Sequence, residues 1–173
     1  MSDHRAGDGR GKAPEAPEDP DSAAAAEQTA LRMLRGAAQS AAALQRRLQR
    51  RGFTEQAAVA ATAAMVRFGY VDDAALAQSI AARSQRTGHG RIQMAAQLRS
   101  RGVDGDAIAA TMADVDPEAE REAALALGRR LWDRGAPGRA AAERRQRVAA
   151  QLQRRGFDMD TVRWVFREVE RQT

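Results

Sequence analysis

Two histidines, two adjacent aspartates and a set of arginines gathered ahead of recurring glycines are the residues of this sequence whose types and spacing could do chemistry. The histidines are the weakest candidates. His4 lies in an acidic, Gly- and Pro-rich start and His89 in a Thr-Gly-His-Gly turn, neither beside a carboxylate cluster at metal-ligand spacing. Cysteine is absent, so disulfides, thiolate metal sites and thiol nucleophiles are excluded. Asp72 and Asp73 invite an acid–base or metal reading, but no third carboxylate or base accompanies them. A helix starting near Ala74 explains both, one as cap and one as an anion favoured by the helix dipole. Gly88-His89-Gly90 is too short for a nucleotide-binding fingerprint, and no Gly-x4-Gly-Lys loop occurs. The expectation is a protein that is not an enzyme and uses no cofactor or metal.

The arginines form a pattern. Arg46, Arg47, Arg50 and Arg51 precede Gly52, Arg99 and Arg101 precede Gly102, and Arg144, Arg145, Arg147, Arg154 and Arg155 precede Gly156. Cations in a last helical turn favour the helix terminus and keep an outer face soluble, which accounts for one arginine per cluster. Four in one short helix point further, to a recurrent basic rib suited to phosphates or an acidic protein surface. No set of Asn, Gln and Arg is dedicated to base edges, so sequence-specific DNA reading is not expected. Net charge sharpens the point. Residues 1–27 hold three cations against seven anions, so the remainder carries +9 of the overall +5.

These side chains must be held by helices. Residues 1–22 are mostly Gly, Pro, Asp, Glu and Ala and lack the apolar content to offset ordering entropy, so a disordered acidic tail is expected there. Beyond it Ala is abundant, strand alternation is missing, and Gly recurs singly, dividing the chain into about nine helical stretches. They run over 24–37, 41–51, 55–68, 73–87, 91–101, 105–115, 118–134, 138–155 and 159–171. Ser40, Thr54, Asp72, Asp104, Asp116 and Asp158 stand where first-turn amides need acceptors, and Gly52, Gly69, Gly102 and Gly156 where helices close. No run of apolar residues is long enough for a membrane span and no signal-peptide layout opens the chain, so no membrane contact and a cytoplasmic location are expected.

The stretches repeat. Leu44 through Leu48 to Arg51-Gly52-Phe53-Thr54 returns as Met94 through Leu98 to Arg101-Gly102-Val103-Asp104, and as Val148 through Leu152 to Arg155-Gly156-Phe157-Asp158. The following helices share a stripe: Ala58, Ala61, Thr62, Met65; Ile108, Thr111, Met112, Val115; Val162, Val165, Phe166, Val169. One further helix precedes each copy. The expected fold is all-α, an elongated array of three tandem three-helix repeats without a sheet, at residues 23–70, 71–115 and 116–173.

The assembled residues resemble the RecX family over about residues 27–170. The features that carry this are Ala30-Leu31 through Leu34, Leu44 through Gly52-Phe53, Gly69-Tyr70-Val71-Asp72-Asp73 with Ala77, Gly88 through Ile92 leading to Leu98 and Gly102-Val103, and Leu152 through Gly156-Phe157. The family often shows Lys before these glycines where this chain has Arg. The resemblance implies a negative regulator of the RecA recombinase in DNA recombination, repair and the SOS response. Such a regulator binds RecA filaments on single-stranded DNA and inhibits strand exchange and ATP hydrolysis, by limiting filament growth or promoting disassembly. It further implies an auxiliary contact to single-stranded or duplex DNA without sequence specificity, made by a monomer. Because the family offers no catalytic motif, the expected contact residues are Arg46, Arg47, Arg50, Arg51, Arg99, Arg101, Arg144, Arg145, Arg154 and Arg155. The competing expectation is a stand-alone helical DNA-binding protein, a repressor or architectural factor.

Overall fold

A computed structural model describes residues 16–134 and 141–171. His4, the tail up to residue 15, and residues 138–140 of the eighth expected helix lie outside the described residues. Within them the chain is all-α. The helices are α1 (Ala23–Gly36), α2 (Ala41–Arg50), α3 (Glu55–Arg67), α4 (Asp73–Arg86), α5 (Arg91–Ser100), α6 (Gly105–Ala113), α7 (Pro117–Asp133), α8 (Ala141–Arg154) and α9 (Met159–Glu170).

Local chemistry sets the helix starts. Asp72, Asp104, Asp116 and Asp158 accept from first-turn amides at 2.7–2.9 Å, and Ser40 from Ala43 at 3.2 Å. Thr54 does so at 3.4 Å, and Ser22 caps α1 through the Ala25 amide. Pro117 opens α7, where a missing N–H costs nothing.

Helix ends are set by one recurring turn. Gly52, Gly102 and Gly156 each take positive φ and donate to the carbonyl three residues back, all at 2.9 Å. The next residue, Phe53, Val103 or Phe157, donates to Leu48, Leu98 or Leu152 at 3.1–3.3 Å. Each leucine is fully buried beneath the apolar residue it bonds. This is the Schellman closure with its hydrophobic contact, made three times from the same residue types.

The described residues fall into two compact units. One comprises residues up to Ala37 together with Leu44–Tyr70; the other comprises Ala38–Ala43 together with Val71 onward. In the first, α1 packs along α3 through small side chains, Ala26 and Ala30 from α1, Ala57, Ala58 and Ala61 from α3, with Leu44, Leu48 and Met65 also buried. In the second, Leu76, Ala77, Leu98, Val103 and Ile108 form one cluster, with Ala81, Met94 and Val115 forming another beside Met112. A third joins Ala124 and Leu127 of α7 to Val148, Leu152, Phe157, Val162, Val165 and Val169. The stripe expected from the repeat is buried at every position except Met112 and Phe166, which are half-buried. Phe166 meets Trp132 edge to face, centroids 6.3 Å apart.

Leu98 is wholly inaccessible and central to its cluster. Leu98→Ala is expected to lower unfolding free energy by about 2–5 kcal/mol in urea titration monitored by helicity; a loss below about 1 kcal/mol would show that the cluster does not depend on it.

Candidate functional site

The three Arg–Gly turns that carry the candidate residues also accept partners from elsewhere in the chain. In the second unit, the Arg155 carbonyl accepts from the Gly90 N–H at 2.8 Å and the Gly156 carbonyl from Ile92 at 3.1 Å. These acceptors are freed by the end of α8, and Gly90 and Ile92 are donors freed by the start of α5. The approach is so close that a Cβ on Gly90 would strike the Gly156 backbone, and one on Gly156 would strike Gln93. Gly90 is therefore a packing residue for this approach, while Gly88 takes the positive φ that ends α4. Arg155 adds a staple, its guanidinium donating to the Thr87 carbonyl at 2.8 Å.

Glu120 of α7 completes the joint. Its half-buried carboxylate accepts from the Arg91 backbone N–H at 2.8 Å and from Arg91 Nε at 2.9 Å, placing a negative charge at the positive end of α5. The same arrangement recurs where α2 begins. The Asp73 carboxylate accepts from the Ala41 N–H at 2.9 Å, and Ser40 Oγ donates to the Arg101 carbonyl at 2.7 Å. Asp72 thus caps its own helix, as its position implied, while Asp73 caps the first turn of a different one.

The candidate arginines separate by what they touch. Arg144 lies half-buried over the Trp132 ring, 5.2 Å from its centroid. Arg145 pairs with Glu170 at 3.1 Å and sits 5.3 Å from the Phe166 centroid. With Arg155 they serve the fold of the third helical set. Arg46, Arg47 and Arg50 are exposed on α2 in the first unit, with Arg51 half-buried at its turn. Arg99, Arg101 and Arg154 are exposed in the second unit. Among the described residues no cluster of His, Cys, Asp and Glu is placed to hold a metal ion, and no helix is long and apolar enough to cross a membrane. His89 Nδ1 lies 2.7 Å from the Thr87 hydroxyl, an interaction local to its turn.

The sequence did not show the parts that Glu120 and Arg91 play, and it assigned Asp73 to its own helix's first turn without its bond to the Ala41 amide. Glu120 reads as one of several acids in the first turns of α7, and only its separation of 29 residues from Arg91, closed by folding, reveals its work.

Comparison with known proteins places these elements. Residues 72–112 match the RecX second three-helix domain and residues 118–166 the RecX third three-helix domain. The regulatory protein RecX of Xanthomonas campestris is 33% identical over 136 residues, 79% of this chain and 82% of that protein. That of Mycobacterium leprae is 33% identical over 85 residues, 49% of this chain, so that here the match spans half the relative's length, 50%. The crystal structure of RecX from Lactobacillus salivarius superposes with a TM-score of 0.77 at 15% identity, covering 86% of this chain and 96% of that one.

Asp158, which caps α9, gives the joint a pH dependence. The Thr161 N–H donating to its carboxylate holds it below the ordinary 3.8; partial burial pushes the other way, and the Thr161 hydroxyl, the Arg91 charge and the Asp160 N–H add to the lowering. A depressed carboxylate contributes stability that is full above its unfolded value, about 3.9, and lost as pH falls through the folded value. Asp158→Asn should therefore be less stable than the parent at pH 6–7 by chemical denaturation, with the gap closing below about pH 4; a gap that stays constant to pH 2.5 would contradict this.

Proposed function

The chain belongs to the RecX family of regulatory proteins, and from that premise we propose that it binds RecA filaments on single-stranded DNA and restrains them through the exposed guanidinium groups of its Arg–Gly turns. The observation that carries this reading is that the exposed arginines recur at the same closure in both units. Arg46 and Arg50 lie one turn apart on α2, Arg99 and Arg101 flank the end of α5, and Arg154 ends α8. The turns fix where along the backbone these arginines stand, and each planar guanidinium offers a fork of donors that loses less orientation per hydrogen bond than a lysine would.

Each contact of this kind is weak alone, since exposed ion pairs are worth roughly 0–1 kcal/mol. Several on one chain combine through effective concentration, which suits a periodic target better than a small ligand. Strand exchange and coupled ATP hydrolysis then fall because filament growth is limited or disassembly is promoted. Auxiliary contact with DNA phosphates draws on the same side chains, so binding weakens as salt rises. The division among the arginines narrows the contact set to the exposed Arg46, Arg50, Arg99, Arg101 and Arg154, with Arg144, Arg145 and Arg155 holding the fold.

The test is RecA ATP hydrolysis on single-stranded DNA with the full chain at stoichiometric or lower amounts. The parent protein is expected to suppress hydrolysis. A variant with Arg46, Arg50, Arg99 and Arg154 changed to Ala, its helicity unchanged, is expected to need roughly tenfold more protein for the same effect. Hydrolysis untouched by the parent, or equal inhibition by the variant, would overturn the proposal.

A further inference from the structure

The Arg51-Gly52 turn differs from its two counterparts in what covers it. In the second unit the matching turns receive the starts of helices: Ser40 at the Arg101 carbonyl, and Gly90 and Ile92 at the Arg155 and Gly156 carbonyls. In the first unit the segment at the turn is residues 16–21. The Pro20 carbonyl accepts from the Thr54 N–H at 3.0 Å, and the Pro17 ring lies over Gly52, where an added Cβ would come within 3.1 Å of Pro17 Cδ. Pro17, Glu18 and Asp19 share a cleft of about 460 Å3 with Ala25, Thr29 and Arg32 of α1 and with Arg51 and Phe53.

These contacts describe a receptor surface and its occupant. The surface is built into the fold, because the closure that forms it occurs three times and meets a protein segment each time. The occupant is of a different kind from the other two. The Gly90–Gly156 approach is buried and uses two main-chain hydrogen bonds, whereas the 16–21 segment is exposed except at Pro17, which is half-buried, and reaches the turn through the Pro20 carbonyl. Little apolar area holds it, so its release costs much less than unfolding the unit. Pro17 and Pro20 fix φ and bring no N–H to satisfy, which suits an extended peptide lying on a turn. The charges are complementary: Glu18 and Asp19 on the segment, Arg32 and Arg51 on the surface.

We infer that α1 and the 51–54 turn form a docking groove for an extended, acidic, proline-containing peptide, filled in cis by residues 16–21 as a displaceable strap. A partner's acidic tail of that chemistry competes with the strap for the groove, and while the strap is down Arg51 is withheld from other anions. The groove's peptide chemistry is independent of the recombinase reading, so each can fail without the other.

The experiment uses the full chain and a fluorescein-labelled peptide of residues 13–22 added in trans, read by anisotropy at low salt. Glu18→Lys with Asp19→Lys weakens the strap by reversing the two charges that share the cleft with Arg32 and Arg51, both at exposed positions. Peptide affinity is expected to rise about tenfold over the parent, which pays the competition of a tethered occupant. Adding Arg51→Glu should abolish that binding. Hydrogen exchange at the Thr54 amide should quicken in the strap variant and slow again under saturating peptide. Equal affinity for parent and strap variant, binding indifferent to Arg51, no binding at all, or Thr54 exchange unchanged by the strap substitutions would each overturn the inference.

Discussion

A helix that stops leaves carbonyls without donors, and one that starts leaves amides without acceptors; in this chain those two deficits are made to satisfy each other. The end of α8 offers the Arg155 and Gly156 carbonyls to the Gly90 and Ile92 amides that open α5, and Glu120 of α7 takes the Arg91 amide between them. The contact is backbone on backbone, so it admits no side chain at Gly90 or Gly156. Glycine at these places serves two ends together: the closing residue needs positive φ, and the approach needs an absent Cβ. Helix ends that would otherwise need water are thereby buried, and the leucine under each closure anchors the hydrophobic clusters.

This joint also assigns work to the charges. In a chain whose body after residue 27 carries +9, every arginine not held by the fold adds to an external field. Arg91 is held by Glu120, Arg145 by Glu170 and Phe166, Arg144 by Trp132, and Arg155 by the Thr87 carbonyl. The exposed i,i+3 pairs Arg121–Glu118, Arg163–Asp160 and Arg171–Glu168 add little stability. What remains outward at the Arg–Gly closures is a smaller set than the composition suggests. A regulator that must grip an anionic or acidic partner reversibly is served by such a set, because each contact is weak and salt can release them together.

Much of the architecture was legible in the sequence because its determinants act within one helical turn. An Asp before a helix finds its amide two or three residues on, a Gly after Leu-x-x-Arg closes the helix over that same leucine, and apolar stripes at three- and four-residue offsets declare which face is buried. Six expected caps, the closing glycines and nearly all of the repeated stripe follow from that locality. What escaped were pairings set by folding. Glu120 and Asp73 cap helices begun 29 and 32 residues earlier. Arg144 and Arg154 look alike in sequence, yet one meets a tryptophan ring and the other solvent. The contacts of residues 16–22 at the 51–54 turn were also not legible, since that segment lacks apolar residues and its partners are a backbone amide and a glycine more than 30 positions away.

The Gly156 closure is a joint between helical sets and more than the end of one helix. Gly69 supplies the comparison, since it also has positive φ but would meet nothing within 4 Å on gaining a Cβ, whereas Gly156 would meet Gln93. The direct measurement is the unfolding free energy of Gly156→Ala beside that of Gly69→Ala in the full chain. Both should lose about 1–2 kcal/mol to left-handed backbone strain, and Gly156→Ala a further 1–3 kcal/mol or so as α5 is forced off the α8 terminus. Equal losses at the two positions would show that Gly156 does no more than end α8.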